Sequence, residues 1–119
     1  MKKLLILLTL CTSSLLFANT SNNEALEGRL ENKLEYNFKT LQADNQSLKV
    51  DDYDVDVYDD YVNVKIEVKS NPQGFNFDKA LLPIKNEIVD TLKTNPKINI
   101  VVEHDKRVGE DEIIFNKDF

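Results

Sequence analysis

Residues 52–68 read DYDVDVYDDYVNVKIEV, and this stretch decides the fold. Apolar side chains occupy every second position on both sides of Asp59-Asp60, which predicts two strands joined by a tight turn. A two-residue turn there places three apolar pairs on one face of the hairpin, namely Val57–Val62, Val55–Val64 and Tyr53–Ile66. The polar pairs on the other face are Asp54–Lys65 and Asp56–Asn63. The hairpin therefore predicts a sheet that is covered on one face only.

The chain before this hairpin predicts an amphipathic helix over about residues 22–42. Apolar residues recur at spacings of four, four, four and three, as Leu26, Leu30, Leu34, Phe38 and Leu41. Ser21 and Glu24 fit a capping box at its start. Leu48 and Val50 are even-numbered whereas Tyr53 is odd-numbered, so in a regular strand they would point to opposite faces of the sheet. A bulge near Asp51-Asp52, or the end of the strand, would explain this change.

A second helix is predicted after the turn at residues 71–74. Its apolar stripe is Ala80, Leu81, Ile84, Ile88 and Leu92. Asn76 or Asp78 can cap its start, and Asn95-Pro96 ends it. Pro83 lacks a backbone N–H, so either the helix kinks near Lys79 or its regular part begins at Pro83.

Ile98, Ile100 and Val102 then predict a third strand, and residues 113–115 a short fourth strand or a docked tail. The element order is α-β-β-α-β, with a further strand at the C-terminus as an open alternative. If the second and third strands are parallel, the helix between them makes a right-handed crossover, and both helices can lie on the apolar face. The sequence thus predicts one small α+β domain over residues 19–119, a two-layer sandwich with the helices on one face of a small mixed sheet. Residues 19–23 and 116–119 are expected to be flexible.

Residues 1–18 read MKKLLILLTLCTSSLLFA, the layout of a bacterial secretory signal peptide. We expect cleavage after Ala18 and export to the periplasm or the medium, with no transmembrane span in the mature form. An uncleaved anchor is one alternative. A lipoprotein attached through Cys11 is another, although Leu10 stands where such signals usually carry Gly, Ala or Ser.

The net charge of −6 argues against a nucleic-acid partner, which needs a cationic face. It becomes −8 after cleavage, because the leader carries Lys2 and Lys3 and no acid. The single cysteine excludes an intrachain disulfide and an all-cysteine metal site.

The hairpin strand 60–68, the helix around 84–92 and the strand 98–102 together resemble the BON domain of bacterial osmotic-stress and nodulation proteins. Asp59-Asp60 and Glu67-Val68 stand where that family typically carries glycines. The resemblance implies a periplasmic module that binds lipid or envelope surfaces rather than an enzyme.

Phe77-Asp78, followed by residues 100–105 (IVVEHD), is similar to the peptidoglycan-binding domain of outer-membrane-protein-A-type proteins. Glu103 stands where that family has a glycine before the histidine. This similarity implies a peptidoglycan-associated envelope protein, which is kept as an alternative function.

Six carboxylates fall within residues 51–60, at Asp51, Asp52, Asp54, Asp56, Asp59 and Asp60. Hard oxygen ligands suit Ca²⁺, and Asp56, Asp59 and Asp60 are the candidate ligands of a weak calcium site. A solvated acidic face that discourages edge pairing is the favoured interpretation, because charge runs are usually solvated.

Tyr58, Tyr61 and His104 are the candidate interaction residues. The two tyrosines flank the turn and form either an aromatic tip or a stabilising cross-strand pair. His104 lies between Glu103 and Asp105, but the mature chain offers no second histidine or cysteine to complete a metal shell with it. We therefore expect no enzyme and no cofactor. The expected function is a periplasmic or secreted binding or adaptor module whose partner is an envelope protein or a cell-wall component.

Overall fold

A computed structural model describes residues 23–106 and 108–119. The predicted leader, its cleavage after Ala18 and Cys11 lie outside the described residues. The described chain forms, in order, α1 (Glu24–Asn37), β1 (Thr40–Ala43), β2 (Gln46–Val57), β3 (Tyr61–Val68), α2 (Phe77–Leu92), β4 (Lys97–His104) and β5 (Glu112–Asp118).

The five strands form one mixed sheet in the order β1-β2-β3-β4-β5. Neighbouring strands are antiparallel except β3 and β4, which are parallel and joined through α2. The α+β class and the two-layer arrangement predicted from the sequence are confirmed. The predicted α-β-β-α-β order gains one strand before the hairpin and one at the C-terminus.

The predicted hairpin register is confirmed. Tyr53 pairs with Ile66, Val55 with Val64 and Val57 with Val62, while the polar pairs lie on the other face. The register shifts between Val50 and Asp52, at the predicted bulge. All six side chains of the apolar pairs are at most 3% exposed, so this face of the sheet is the core face.

The predicted first helix was too long. It ends at Asn37, and Thr40–Ala43 instead forms β1, paired antiparallel with residues 46–49. The reversal passes through Asp44, whose φ of 56° is in the left-handed region that aspartate tolerates better than most residues. Leu41, predicted to lie on the helix stripe, is buried from the strand.

The predicted capping box at the start of this helix was also wrong. Asn23 is the N-cap, and its side chain accepts the Leu26 N–H at 3.2 Å. Asparagine is as good an N-cap as serine, so a start two residues later leaves the first turn equally well capped.

Helix α2 begins at Phe77 and contains Pro83, so the alternative in which the regular helix begins at Pro83 was wrong. Asn76 is the N-cap, as predicted, and its Oδ1 accepts the Lys79 N–H at 3.1 Å. Pro83 is exposed, so the backbone carbonyl that it leaves without a helical partner is on the solvent side, where water can satisfy it.

Residues 113–115 belong to a strand, which continues through Asp118. The expected flexible tail therefore pairs with β4 over residues 116–118, and Phe119 donates its N–H to the Ile98 carbonyl at 2.7 Å. Phe115 packs on Phe77 with ring centroids 5.1 Å apart, which joins β5 to the core side of the sheet.

Helix α1 covers the part of the β2 edge that β1 does not reach. Glu31 accepts the Val55 N–H and Glu27 accepts the Val57 N–H, each at 2.9 Å. Four helical residues rise about 6 Å and two strand residues about 7 Å, so carboxylates spaced i, i+4 match alternate N–H groups of a strand. Asn23 completes this edge by donating its N–H to the Val57 carbonyl at 2.9 Å.

Replacing Glu27 by alanine is expected to lower the free energy of unfolding by about 1 kcal/mol, because the part-buried Val57 N–H loses its acceptor. Glu27→Gln keeps a carbonyl oxygen in that place and is the matched control. Urea unfolding followed by circular dichroism measures both variants. Equal stabilities of the two variants would show that residue 27 contributes no useful acceptor.

The same residue predicts a pH dependence. Burial raises the pKa of Glu27 above its ordinary value of 4.5, against the lowering effect of the Val57 N–H, and the charges of Asp56, Glu24 and Glu31 raise it further. The folded protein thus holds this proton more tightly than the unfolded chain. Protonated Glu27 makes its full contribution to stability at pH values below its pKa in the unfolded chain. That contribution is lost as the pH rises through the pKa of Glu27 in the folded protein.

Glu27→Gln cannot ionise, so we expect it to match the wild type in stability near pH 4 and to exceed it near pH 7. Urea midpoints across this range measure the difference between the two proteins, which cancels the other carboxyl groups. A constant difference, or one that favours the wild type at pH 7, would contradict the prediction.

Candidate functional site

The sheet face opposite the helices, called here the open face, carries polar side chains from four strands. No helix of the described residues packs on it, because the buried residues of both helices belong to the core on the other side. Its members are Asp54, Asp56, Asn63, Lys65, Glu67, Asn99, Val101, Glu103, Ile113, Asn116 and Asp118. Their common orientation follows from alternation with the buried residues, and at β5 from the hydrogen bonds of the Asn99 amide to Asn116 (2.9 Å) and Asp118 (2.8 Å).

A shallow groove of about 300 Å³ runs across the open face. Three carboxylates, those of Asp54, Asp56 and Glu103, line it together with the ammonium group of Lys65, and Val101 and Ile113 add apolar surface. Ile113 is 61% exposed and places an apolar contact point beside the acids. The groove therefore offers charged groups and a small apolar contact, but it is not an enclosed pocket for a small molecule.

The electrostatics of the open face are dominated by acids. Burial raises the pKa of Glu67, and the charges of Asp52, Asp105 and Asp111 raise it further, while Lys65 at 3.9 Å opposes the shift. Lys65 therefore offsets only part of the negative charge around Glu67. A positively charged group that approached this face would be attracted by several carboxylates at once.

Two groups of carboxylates in the described chain have oxygens within 4.8 Å of one another. They are Asp51, Glu67 and Asp105, and Glu67, Glu103 and Asp111. In the first group Lys69 Nζ lies 2.8 Å from Asp105 and 3.5 Å from Asp51. Its hydrogen bond lowers the pKa of Asp105, so the chain supplies its own cation to these acids.

The predicted calcium ligands are not brought into either of these groups. Asp56 lies on the open face opposite Asn63, whereas Asp59 and Asp60 are exposed in the turn between β2 and β3. The strand geometry separates them, because neighbouring members of the acidic run point to different surroundings.

Tyr58 and Tyr61 stack on each other across the turn, with ring centroids 4.5 Å apart and planes inclined by 16°. The Tyr58 N–H donates to the Tyr61 carbonyl at 2.9 Å, which closes the turn. The two rings therefore form a cross-strand pair.

His104 is distant from this aromatic pair. It pairs with Val68 at the far end of β3, whereas Tyr61 begins that strand, so about 23 Å of strand separates them. His104 Nε2 lies 3.2 Å from the Lys69 carbonyl, and its Nδ1 lies 3.8 Å from Glu112. The three predicted interaction residues thus belong to two separate places in the molecule.

A second surface depression of about 300 Å³ lies at the β2 bulge. Glu35 and Lys39 of the α1 end line it with residues 50–53 of the strand. The Tyr53 hydroxyl donates to the Phe38 carbonyl at 2.6 Å beside it. Burial, and then the charge of Glu35, raise the pKa of Tyr53, so this phenol remains a neutral donor.

Sequence reasoning missed Glu103, Ile113 and Asn99 as neighbours of the acidic strand. Alternation in the predicted third strand could have found Asn99 and Glu103. Residues that alternate with Ile98, Ile100 and Val102 must point to the same face as Asp54 and Asp56. Ile113 carried no such signal, because its strand was left open.

Comparisons with protein-family models, with curated proteins and with solved structures returned no match to this chain. Among residues 23–106 and 108–119, no helix is both long and apolar enough to cross a membrane.

We expect the amide signals of Asp56, Asp59 and Asp60 to stay unchanged when calcium is added to about 1 mM, the weak end of the range for extracellular calcium modules. The reason is that these three carboxylates do not converge. Two-dimensional ¹H–¹⁵N NMR measures the shifts, with the same concentration of magnesium as the control for ionic strength. Saturable shifts confined to these three residues would establish the calcium site.

Proposed function

We propose that this protein is a non-enzymatic binding or adaptor module of the bacterial cell envelope, and that it binds a basic segment of an envelope protein through the open face. The observation that supports the proposal is a sheet face on which neither of the described helices packs and which carries a groove lined by acids and by Ile113. Export of the chain is part of the proposal and rests on the predicted leader.

The partner's chemistry follows from charge complementarity. Asp54, Asp56 and Glu103 line the groove, and Glu67 and Asp118 border it on the same face. A lysine- or arginine-rich segment would gain from these charges without requiring any of them to be buried alone. Val101 and Ile113 favour a segment that also presents an aliphatic side chain.

The acids of the open face contribute little to the stability of the fold. Each acid stands opposite a residue of the neighbouring strand, as Asp54 does opposite Lys65, and its side chain remains accessible to solvent. Exposed charges of this kind contribute only about 0–1 kcal/mol to stability. Changing them should therefore alter binding more than folding.

Affinity capture from an envelope extract tests the proposal, followed by titration of the captured protein into ¹⁵N-labelled chain. We expect shifts at open-face amides and binding that weakens as salt is raised. The double variant Asp56→Asn, Glu103→Gln should bind roughly two- to thirtyfold more weakly, at about 0.2–1 kcal/mol for each of the two lost charge pairs.

The matched control is Asp90→Asn, Glu24→Gln, which removes the same charge from exposed positions on the two helices, across the sheet from the groove. Its affinity should equal that of the wild type. Equal weakening in both double variants would mean that only net charge matters. Shifts confined to the helices, or retention on purified sacculi in place of a protein, would contradict the proposal.

A further inference from the structure

His104 closes the end of β4 and lies between two other elements. In register it pairs with Val68 of β3 on one side and with Glu112, the first residue of β5, on the other. It is the chain's single histidine. Histidine is the side chain whose charge ordinarily changes between pH 5 and 8.

The ring is satisfied at one nitrogen only. Nε2 lies 3.2 Å from the Lys69 carbonyl, and a carbonyl oxygen can only accept, so the hydrogen is on Nε2. A neutral imidazole has one N–H, which leaves Nδ1 with a lone pair. This Nδ1 is buried and has no hydrogen-bond partner among the described residues. Water therefore does not reach it, and the neutral ring leaves a polar atom unsatisfied.

A proton on Nδ1 would change this balance. The Glu112 Oε1 lies 3.8 Å from Nδ1, too far for a hydrogen bond to the present ring but close enough for an ion pair. The Glu112 side chain is 47% exposed and so has room to move the remaining distance. The protonated ring would then donate from both nitrogens, to Lys69 and to Glu112.

The other charges around His104 are already engaged. Asp105 and Asp51 share the ammonium of Lys69, at 2.8 and 3.5 Å. Lys106 Nζ lies 3.9 Å from the same Glu112 oxygen and is the one competitor for it in the described chain. Glu103, the preceding residue on β4, lies on the open face. Glu112 is therefore the carboxylate available to the second ring proton.

We propose that His104 is a pH-operated latch that fastens the start of β5 to the sheet when the ring is protonated and releases it when the ring is neutral. Ile113, which forms one wall of the groove, directly follows Glu112. Closing the latch holds that wall in place, and opening it loosens the wall. The latch stands on the geometry of His104 and Glu112 and does not depend on what the open face binds.

Hydrogen exchange on the full ¹⁵N-labelled chain tests the latch. Protection factors correct for the intrinsic effect of pH, and the Val64 amide in central β3 serves as the internal reference for global opening. Relative to Val64, the hydrogen-bonded amides of residues 113–116 should be about two- to fivefold better protected at pH 5.5 than at pH 8, the size expected of a partly exposed ion pair.

Glu112→Gln should abolish this change, because the amide offers no charge to the imidazolium. Glu110→Gln, with the same charge change two residues away, should retain it. Lys106→Gln removes the competitor and should keep or enlarge it. In parallel, ring ¹⁵N shifts should show the neutral ring protonated at Nε2.

Three results would each overturn the latch. These are an unchanged protection ratio in the wild type, a full pH response in Glu112→Gln, or a neutral ring that carries its proton on Nδ1. All variants change exposed side chains and should fold, which circular dichroism confirms before exchange is measured.

Discussion

The burial of one face of β3 determines the rest of the structure. Val62, Val64, Ile66 and Val68 are at most 1% exposed, and the residues between them are polar. A central strand with a single apolar face can be covered from one side only, so both helices must lie there. The parallel pairing of β3 with β4 repeats the pattern through Ile98, Ile100 and Val102. The open face is the necessary other side of this arrangement, and its chemistry is set by which residues alternate with the core.

The edges of the sheet must also be protected from pairing with other chains. At the β2 edge, helix α1 provides this protection. Where β1 ends, the carboxylates of Glu27 and Glu31 take over the strand's N–H groups. Free N–H and C=O groups at an edge invite pairing with another chain, and this cover denies part of that edge. This cover places acids beside acids: burial, and then the charges of Asp56 and of the neighbouring glutamates of α1, raise the pKa of Glu27. The repulsion between these acids lowers local stability, while their hydrogen bonds close this edge of β2.

The alternation in residues 52–68 was sufficient to predict the hairpin register, the bulge and the single buried face, because a period of two is a local property. Strand β1 was not predictable in the same way. Leu41 continues a helical spacing from Phe38, and a four-residue strand has too few positions to show alternation. Tertiary pairing with residues 46–49 decided the competition. The carboxylate groups around Glu67 were equally inaccessible, since they depend on β3, β4 and the connection to β5 meeting at one end of the sheet. His104 and its neighbour Glu112 required the register of a strand whose existence the sequence left open.

The distribution of charge connects these features to function. The excess of acids, which argues against a nucleic-acid partner, is not spread evenly, because alternation directs Asp54, Asp56 and Glu103 to one surface while their neighbours fill the core. A sheet that needed only solubility could mix signs across this surface, as Asp54 and Lys65 do. Instead the acids continue across β4 and β5 beside an exposed Ile113. Asp54, Asp56 and Glu103 outnumber Lys65 in this groove, and an excess of acids beside an apolar contact suits the proposed basic segment, which charge would attract and packing would hold.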